Sequence, residues 1–206
     1  NKIIFFSRSF MFLAAFTGIY LEITKHGGFG MLLYYTVLSN LLVMIFTGYL
    51  LWKMRREGDH WQSSSLLRLK GGITMSIMIT CVIYHFMLAP LTKDFYRLEN
   101  FLCHYIVPLW FLVDTIIFDK SRQYKWFDPI VWTVLPLLYM GFSILNGFVL
   151  KMDVPKAKDS PFPYFFLNAN KYGWGFVFRW AAIIFVAYMV SGYLFYLVKN
   201  IKKSKK

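Results

Sequence analysis

Thr36 and His104 are the two residues through which this sequence could do chemistry. A threonine hydroxyl is a weak nucleophile until a base takes its proton, and a neutral imidazole is the usual base near pH 7. Such a pair suits attack on an ester carbonyl, giving an acyl-threonine that water then releases. Further polar residues surround the two: Asn40 four positions after Thr36, Asn100 four before His104, and His85, Asn146 and Arg179 elsewhere in apolar stretches. Asn40 could donate to an oxyanion. Arg179 could hold a lipid carboxylate through a charge-assisted bond, and His85 could be a second polar contact or a spare base.

These residues take their meaning from the elements that carry them. Of 206 residues, 58% are hydrophobic, 21% aromatic and only 16% charged. A soluble domain usually carries about 25% charged residues. A bilayer core about 30 Å thick needs about 20 apolar residues in a helix, and six stretches qualify: 3–24, 31–53, 71–91, 101–118, 129–150 and 174–198. In lipid, backbone polar groups must bond within their own segment, so all six are expected to be helices. The expected fold is all-α: one polytopic domain of six transmembrane helices over residues 1–206. No cleavable signal-peptide pattern follows the first span.

Charge sets the expected orientation. Fifteen of the 23 Lys and Arg fall on one side of the spans, seven on the other, and Arg179 lies inside the last span. The positive-inside rule then places both termini in the cytoplasm. The net charge of +13 reads as a topology signal plus attraction to anionic lipid, with no nucleic-acid partner; the basic tail from Lys199 to Lys206 reads as solvated and lipid-hugging. Cys81 and Cys103 differ in depth by roughly 10 Å at about 1.5 Å per residue, beyond disulfide reach.

With this topology, Thr36, His85, His104, Asn146 and Arg179 sit on five different helices. Each falls within roughly 5–8 Å of the same membrane boundary at about 1.5 Å per residue. Polar groups there are costly, and a converging layer of them suggests a pocket opening toward the outer leaflet. Asp114 lies some 15 Å deeper by the same rise, with no partner visible in the sequence. His26 and His60 read as solvated loop residues. The connection from Lys151 to Gly173 contains Pro155, Pro161 and Pro163, then Tyr164-Phe165-Phe166-Leu167. Helix breakers alternating with aromatics predict an ordered lid over the outer face.

Ordinary structural roles compete with each reading. A membrane threonine often bonds back to its own helix, asparagines glue helices together, and an arginine near a helix end snorkels to the surface. Two rival classes follow. His85 and His104 on sequential helices could bind haem axially, although no C-x-x-C-H run is present. The same pocket could also bind or transport lipid without turnover. A lipid transacylase is a further enzymatic alternative. Hydrolysis at Thr36 needs neither metal nor cofactor.

Several runs carry a resemblance to a known family. They are Tyr35-Thr36-Val37-Leu38-Ser39-Asn40-Leu41-Leu42, Tyr84-His85-Phe86-Met87-Leu88-Ala89-Pro90, Asn100 through Cys103-His104 and Pro108 to Asp114, and Pro163-Tyr164-Phe165-Phe166-Leu167 followed by Tyr172-Gly173. In order and spacing they resemble the bacterial six-transmembrane relatives of the androgen-induced and androgen-dependent TFPI-regulating membrane proteins, over about residues 30–195. The resemblance implies an intramembrane threonine hydrolase acting on fatty acid esters of hydroxy fatty acids. It also implies Thr36 and His104 as the catalytic pair, in a bacterial cell membrane. Two features depart from the animal pattern: the interval from His104 to Pro108 is shorter, and Tyr35 stands where leucine is usual.

Overall fold

The structure is a computed structural model that describes residues 2–157 and 160–201, less the side chain of Asp59. Of the basic tail expected to be solvated from Lys199 to Lys206, Lys199 is instead buried; the residues beyond Ile201, and Lys158 in the outer connection, lie outside the described residues. Six helices are long and apolar enough to cross a membrane: α1 (Lys2–His26), α2 (Tyr35–Glu57), α3 (Ser64–Leu91), α4 (Leu98–Phe118), α5 (Asp128–Leu150) and α6 (Trp174–Asn200). There is no strand among the described residues, and the chain is an all-α polytopic protein. An even number of alternating helices leaves both ends of the chain at one end of the bundle, the termini end; the connections after α1, α3 and α5 form the far end.

Local chemistry sets the helix boundaries. Gly58 ends α2 in the left-handed region at φ 57, a conformation with little cost only for glycine. Ser63 caps α3, its side chain accepting from Leu66 N–H. That start lies seven residues before the one expected from sequence. Arg68 and Lys70 had the look of loop charges, yet both are helical and Lys70 is wholly buried.

The termini end is built on charge. Arg8 on α1 and Lys70 on α3 both reach Asp114 on α4, at 3.0 Å and 2.5 Å, and both reach Asp119 at 3.2 Å and 2.8 Å. The side chains of Arg8, Lys70 and Asp114 are 0% exposed. Buried ions persist only when paired and hydrogen-bonded. Trp61 covers the Arg8 guanidinium at 4.3 Å, and Lys199 of α6 donates to the carbonyls of Thr115 and Asp119 that close α4. Asp114 therefore has two partners, both counted as topology charges in the sequence.

Above this base the helices pack through a core that includes Met11, Val43, Leu67, Ile77 and Phe111. On the other side α5 and α6 meet near the termini end, where a methyl added at Gly192 would lie 3.3 Å from Pro129. Toward the far end a short helical turn, Phe165–Leu167, touches both helices. Three spans carry a turn of π-helix at that level: Tyr84–Leu88 in α3, Leu102–Ile106 in α4 and Asn146–Leu150 in α5. Such wide turns are rare and gather at functional sites.

Candidate active site

Thr36 is the second residue of α2, and its side chain is nearly buried. This position denies it the back-bond common to membrane threonines: the residue four earlier, Leu32, precedes the helix and the hydroxyl is left to turn elsewhere. Thr74 and Thr115, in helix interiors, do make that bond to Lys70 and Phe111. The Thr36 hydroxyl instead lies 3.2 Å from His104 Nε2.

His104 sits in the π-turn of α4. Its Nδ1 faces the Asn100 carbonyl oxygen at 3.0 Å. A carbonyl can only accept, so Nδ1 carries the proton and Nε2 presents its lone pair to Thr36. Tyr84, from the π-turn of α3, stacks on the imidazole with ring centroids 3.8 Å apart. The arrangement is a hydroxyl, an imidazole lone pair within reach of it, and a third group that fixes the tautomer of the ring, the parts that a nucleophile–base unit needs. Here the third group is a backbone carbonyl, and no carboxylate is used.

The asparagines act as clamps. Asn40 donates one amide hydrogen to the Thr36 carbonyl at 2.8 Å and the other to the Cys103 carbonyl at 2.9 Å. With both hydrogens committed it has none for an oxyanion, which corrects the role expected for it. Asn100 donates from its side chain to the Phe95 carbonyl and offers His104 only its backbone oxygen. Asn146 accepts from Met152 N–H and donates to the Pro161 carbonyl, so it anchors the far-end connection. Beside it a methyl on Gly147 would come 2.1 Å from Phe162, and only glycine lets that ring seat.

His85 and Arg179 are not brought to the pair. His85 is exposed and bonds the Tyr105 hydroxyl at 3.1 Å. With His85 turned outward and both His104 nitrogens engaged, the two rings do not form an axial pair. Arg179 is exposed and makes no hydrogen bond or ion pair among the described residues, as befits a snorkelling side chain. His26, expected to be solvated, is drawn into a knot: its ring lies 2.7 Å from Glu99, which also meets Lys25 at 3.6 Å and Arg97 at 3.7 Å. The two cysteines are free and buried.

The sequence assigns no chemical part to any side chain of the lid expected in the connection from Lys151 to Gly173. Tyr164 comes closest: its hydroxyl is 3.5 Å from Thr36 Oγ1 and accepts from Thr36 N–H at 3.4 Å. Burial pushes its phenol above the usual range, so it keeps its proton. The signal was present in the run of aromatics after Pro163, but nothing in a sequence tells which of four consecutive rings turns inward.

Beyond Thr36 an apolar cleft runs between α3, α5 and α6. It is walled by Ile83 and Leu88, Pro136 and Met140, Ile184 and Phe185, with Phe166 and Leu167 across the far end. Its lining is mostly apolar, and the Thr36 and Tyr164 hydroxyls meet within it, as suits a ligand with a long apolar body and one reactive group. No group of His, Cys, Asp and Glu among the described residues is arranged to hold a metal ion. No protein-family profile, curated protein or solved structure matches the chain.

Proposed function

We propose that this protein is an intramembrane lipid esterase that cleaves fatty acyl esters with Thr36 as nucleophile and His104 as base. The observation that carries the reading is the 3.2 Å approach of the Thr36 hydroxyl to a His104 nitrogen whose lone pair is freed by the bond from Nδ1–H to Asn100. Thr36 Oγ attacks the ester carbonyl carbon while its proton passes to His104 Nε2. The carbon–oxygen bond to the alcohol breaks, and His104 returns the proton to the departing oxygen. Water attacks the acyl-Thr36 ester, giving its proton to His104. The acid leaves and Thr36 recovers its hydrogen.

The cleft supports a long-chain substrate. The resemblance seen in the sequence suggests fatty acid esters of hydroxy fatty acids, hydrolysed in a bacterial cell membrane. The excess of Lys and Arg at the termini end supports cytoplasmic termini, with Thr36 toward the outer leaflet. The test is labelling with a fluorophosphonate that reacts with activated hydroxyls. Wild type should label and Thr36→Ala should not. A wild-type protein that binds lipid yet neither labels nor turns over an ester would leave lipid binding or transport as the function.

A further inference from the structure

Tyr164 is a buried residue whose hydroxyl lies 3.5 Å from Thr36 Oγ1, and the reaction as written makes no use of it. Resting on the esterase reading, we propose that Tyr164 is a third catalytic residue. It donates its O–H to the oxyanion that forms when Thr36 attacks, with the N–H of Thr36 as the second donor.

The chemistry demands such a group. As Thr36 Oγ bonds to the carbonyl carbon, the C=O π bond opens and its electron pair moves to the carbonyl oxygen. In a dry site that charge must meet fixed donors, and these contribute much of the rate. The Thr36 N–H is one. It belongs to the first turn of α2, so it has no partner within the helix, and the positive end of the helix dipole stands behind it. A nucleophile's own N–H is a familiar half of an oxyanion hole.

The partner this N–H does find is the Tyr164 hydroxyl. A phenol that accepts through its oxygen still has a proton to give. At 3.5 Å from Thr36 Oγ1 the hydroxyl borders the space that an attacked carbonyl must enter. Of the other polar side chains, Asn40 has spent both hydrogens, His85 and Arg179 are exposed, and the Tyr139 and Tyr84 hydroxyls donate to the Leu33 carbonyl and to Thr92.

Tyr164 is also held as a catalytic donor must be. Its ring stacks on Phe166 at 5.2 Å and meets Tyr34 edge-on at 5.8 Å. The segment that carries it is pinned through Asn146 and the seat of Phe162 against Gly147. The far-end connection thus delivers a reacting group as well as a cover.

The experiment compares wild type, Tyr164→Phe and Thr36→Ala as full chains in detergent, with a fluorogenic long-chain fatty ester and the fluorophosphonate. Tyr164→Phe should lower kcat by about 10²–10³-fold, leave KM and thermal unfolding close to wild type, and slow labelling of Thr36. Wild-type kcat in Tyr164→Phe, or a change confined to KM, overturns the role. If that variant fails to fold, a difluorotyrosine inserted at position 164 keeps the ring and the bond while making a stronger donor. A shifted kcat at unchanged KM supports the proposal and an unshifted one overturns it. Normal turnover in Tyr164→Phe alongside labelling abolished by Thr36→Ala defeats this role alone. Absence of turnover and labelling in wild type defeats the esterase reading, and this role with it.

Discussion

The side chain of Asn40 donates to the backbone carbonyl of Cys103 across 2.9 Å, and so ties the helix of Thr36 to the residue before His104. Its other hydrogen holds the Thr36 carbonyl itself. One amide thereby fixes the spacing between two helices at the level where a hydroxyl and an imidazole must meet. Replacing it with alanine should lower kcat by about 10–100-fold while KM changes little, since small misplacements are costly in rate. Stability should fall by only about 1 kcal/mol. Steady-state kinetics and thermal unfolding in detergent separate the two, and an unchanged kcat would mean that the clamp is purely structural.

Thr36 and His104 should behave as one unit. Thr36→Ala, His104→Ala and the double variant are expected to lose a similar factor, about 10²–10⁴-fold, because a nucleophile without its base is hardly activated. Thr36→Ser keeps the hydroxyl and should retain part of the activity. Ester hydrolysis by the four purified variants is the measurement, and losses that multiply in the double variant would argue against the pair.

Asp114 should matter to folding and not to turnover. Asp114→Asn leaves Arg8 and Lys70 short of a countercharge where their side chains are 0% exposed. Breaking a buried pair in this way costs about 3–5 kcal/mol. Unfolding temperature and yield should drop sharply, while the folded fraction hydrolyses ester at the wild-type rate.

Arg179→Gln is expected to change little. The side chain is exposed and away from Thr36, so stability should stay within about 0.5 kcal/mol of wild type. Ester hydrolysis should be unaltered for substrates with and without a free carboxylate. A selective loss of the carboxylated substrate would restore the binding role first read from the sequence.

Orientation is open to a direct measurement. A reporter active only outside the membrane, joined at the C-terminal end, should stay silent. A strong signal would place the far end, with Thr36, at the inner leaflet.

The six spans were legible because lipid imposes a length and an apolarity that composition alone reveals. The start of α3 was misjudged by seven residues because a sequence cannot say that Lys70 is neutralised by Asp114 and Asp119. For the same reason Asp114 looked partnerless. The depths of Thr36 and His104 followed from counting residues, whereas facing did not. α6 is apolar nearly all round, so no polar stripe shows that Arg179 turns outward. The π-turns left no trace in the sequence, since a widened turn can be built from the same apolar residues as a normal one. The role of Asn40 was misread because spacing gives its height along the helix and not which carbonyls claim its hydrogens.

Leu137 of α5 and Phe185 of α6 both line the cleft, yet they stay 44% and 42% exposed, so these two helices do not seal it off from its surroundings. A ligand that arrives through such a flank comes from the bilayer plane, so its effective concentration is a mole fraction among lipids. Diluting an ester with inert phospholipid should slow the reaction at constant total ester. Adding more vesicles of the same composition should not speed each enzyme molecule. Saturation would then belong on an axis of surface density, and two esters of equal aqueous solubility could differ widely in rate according to how each partitions and diffuses laterally.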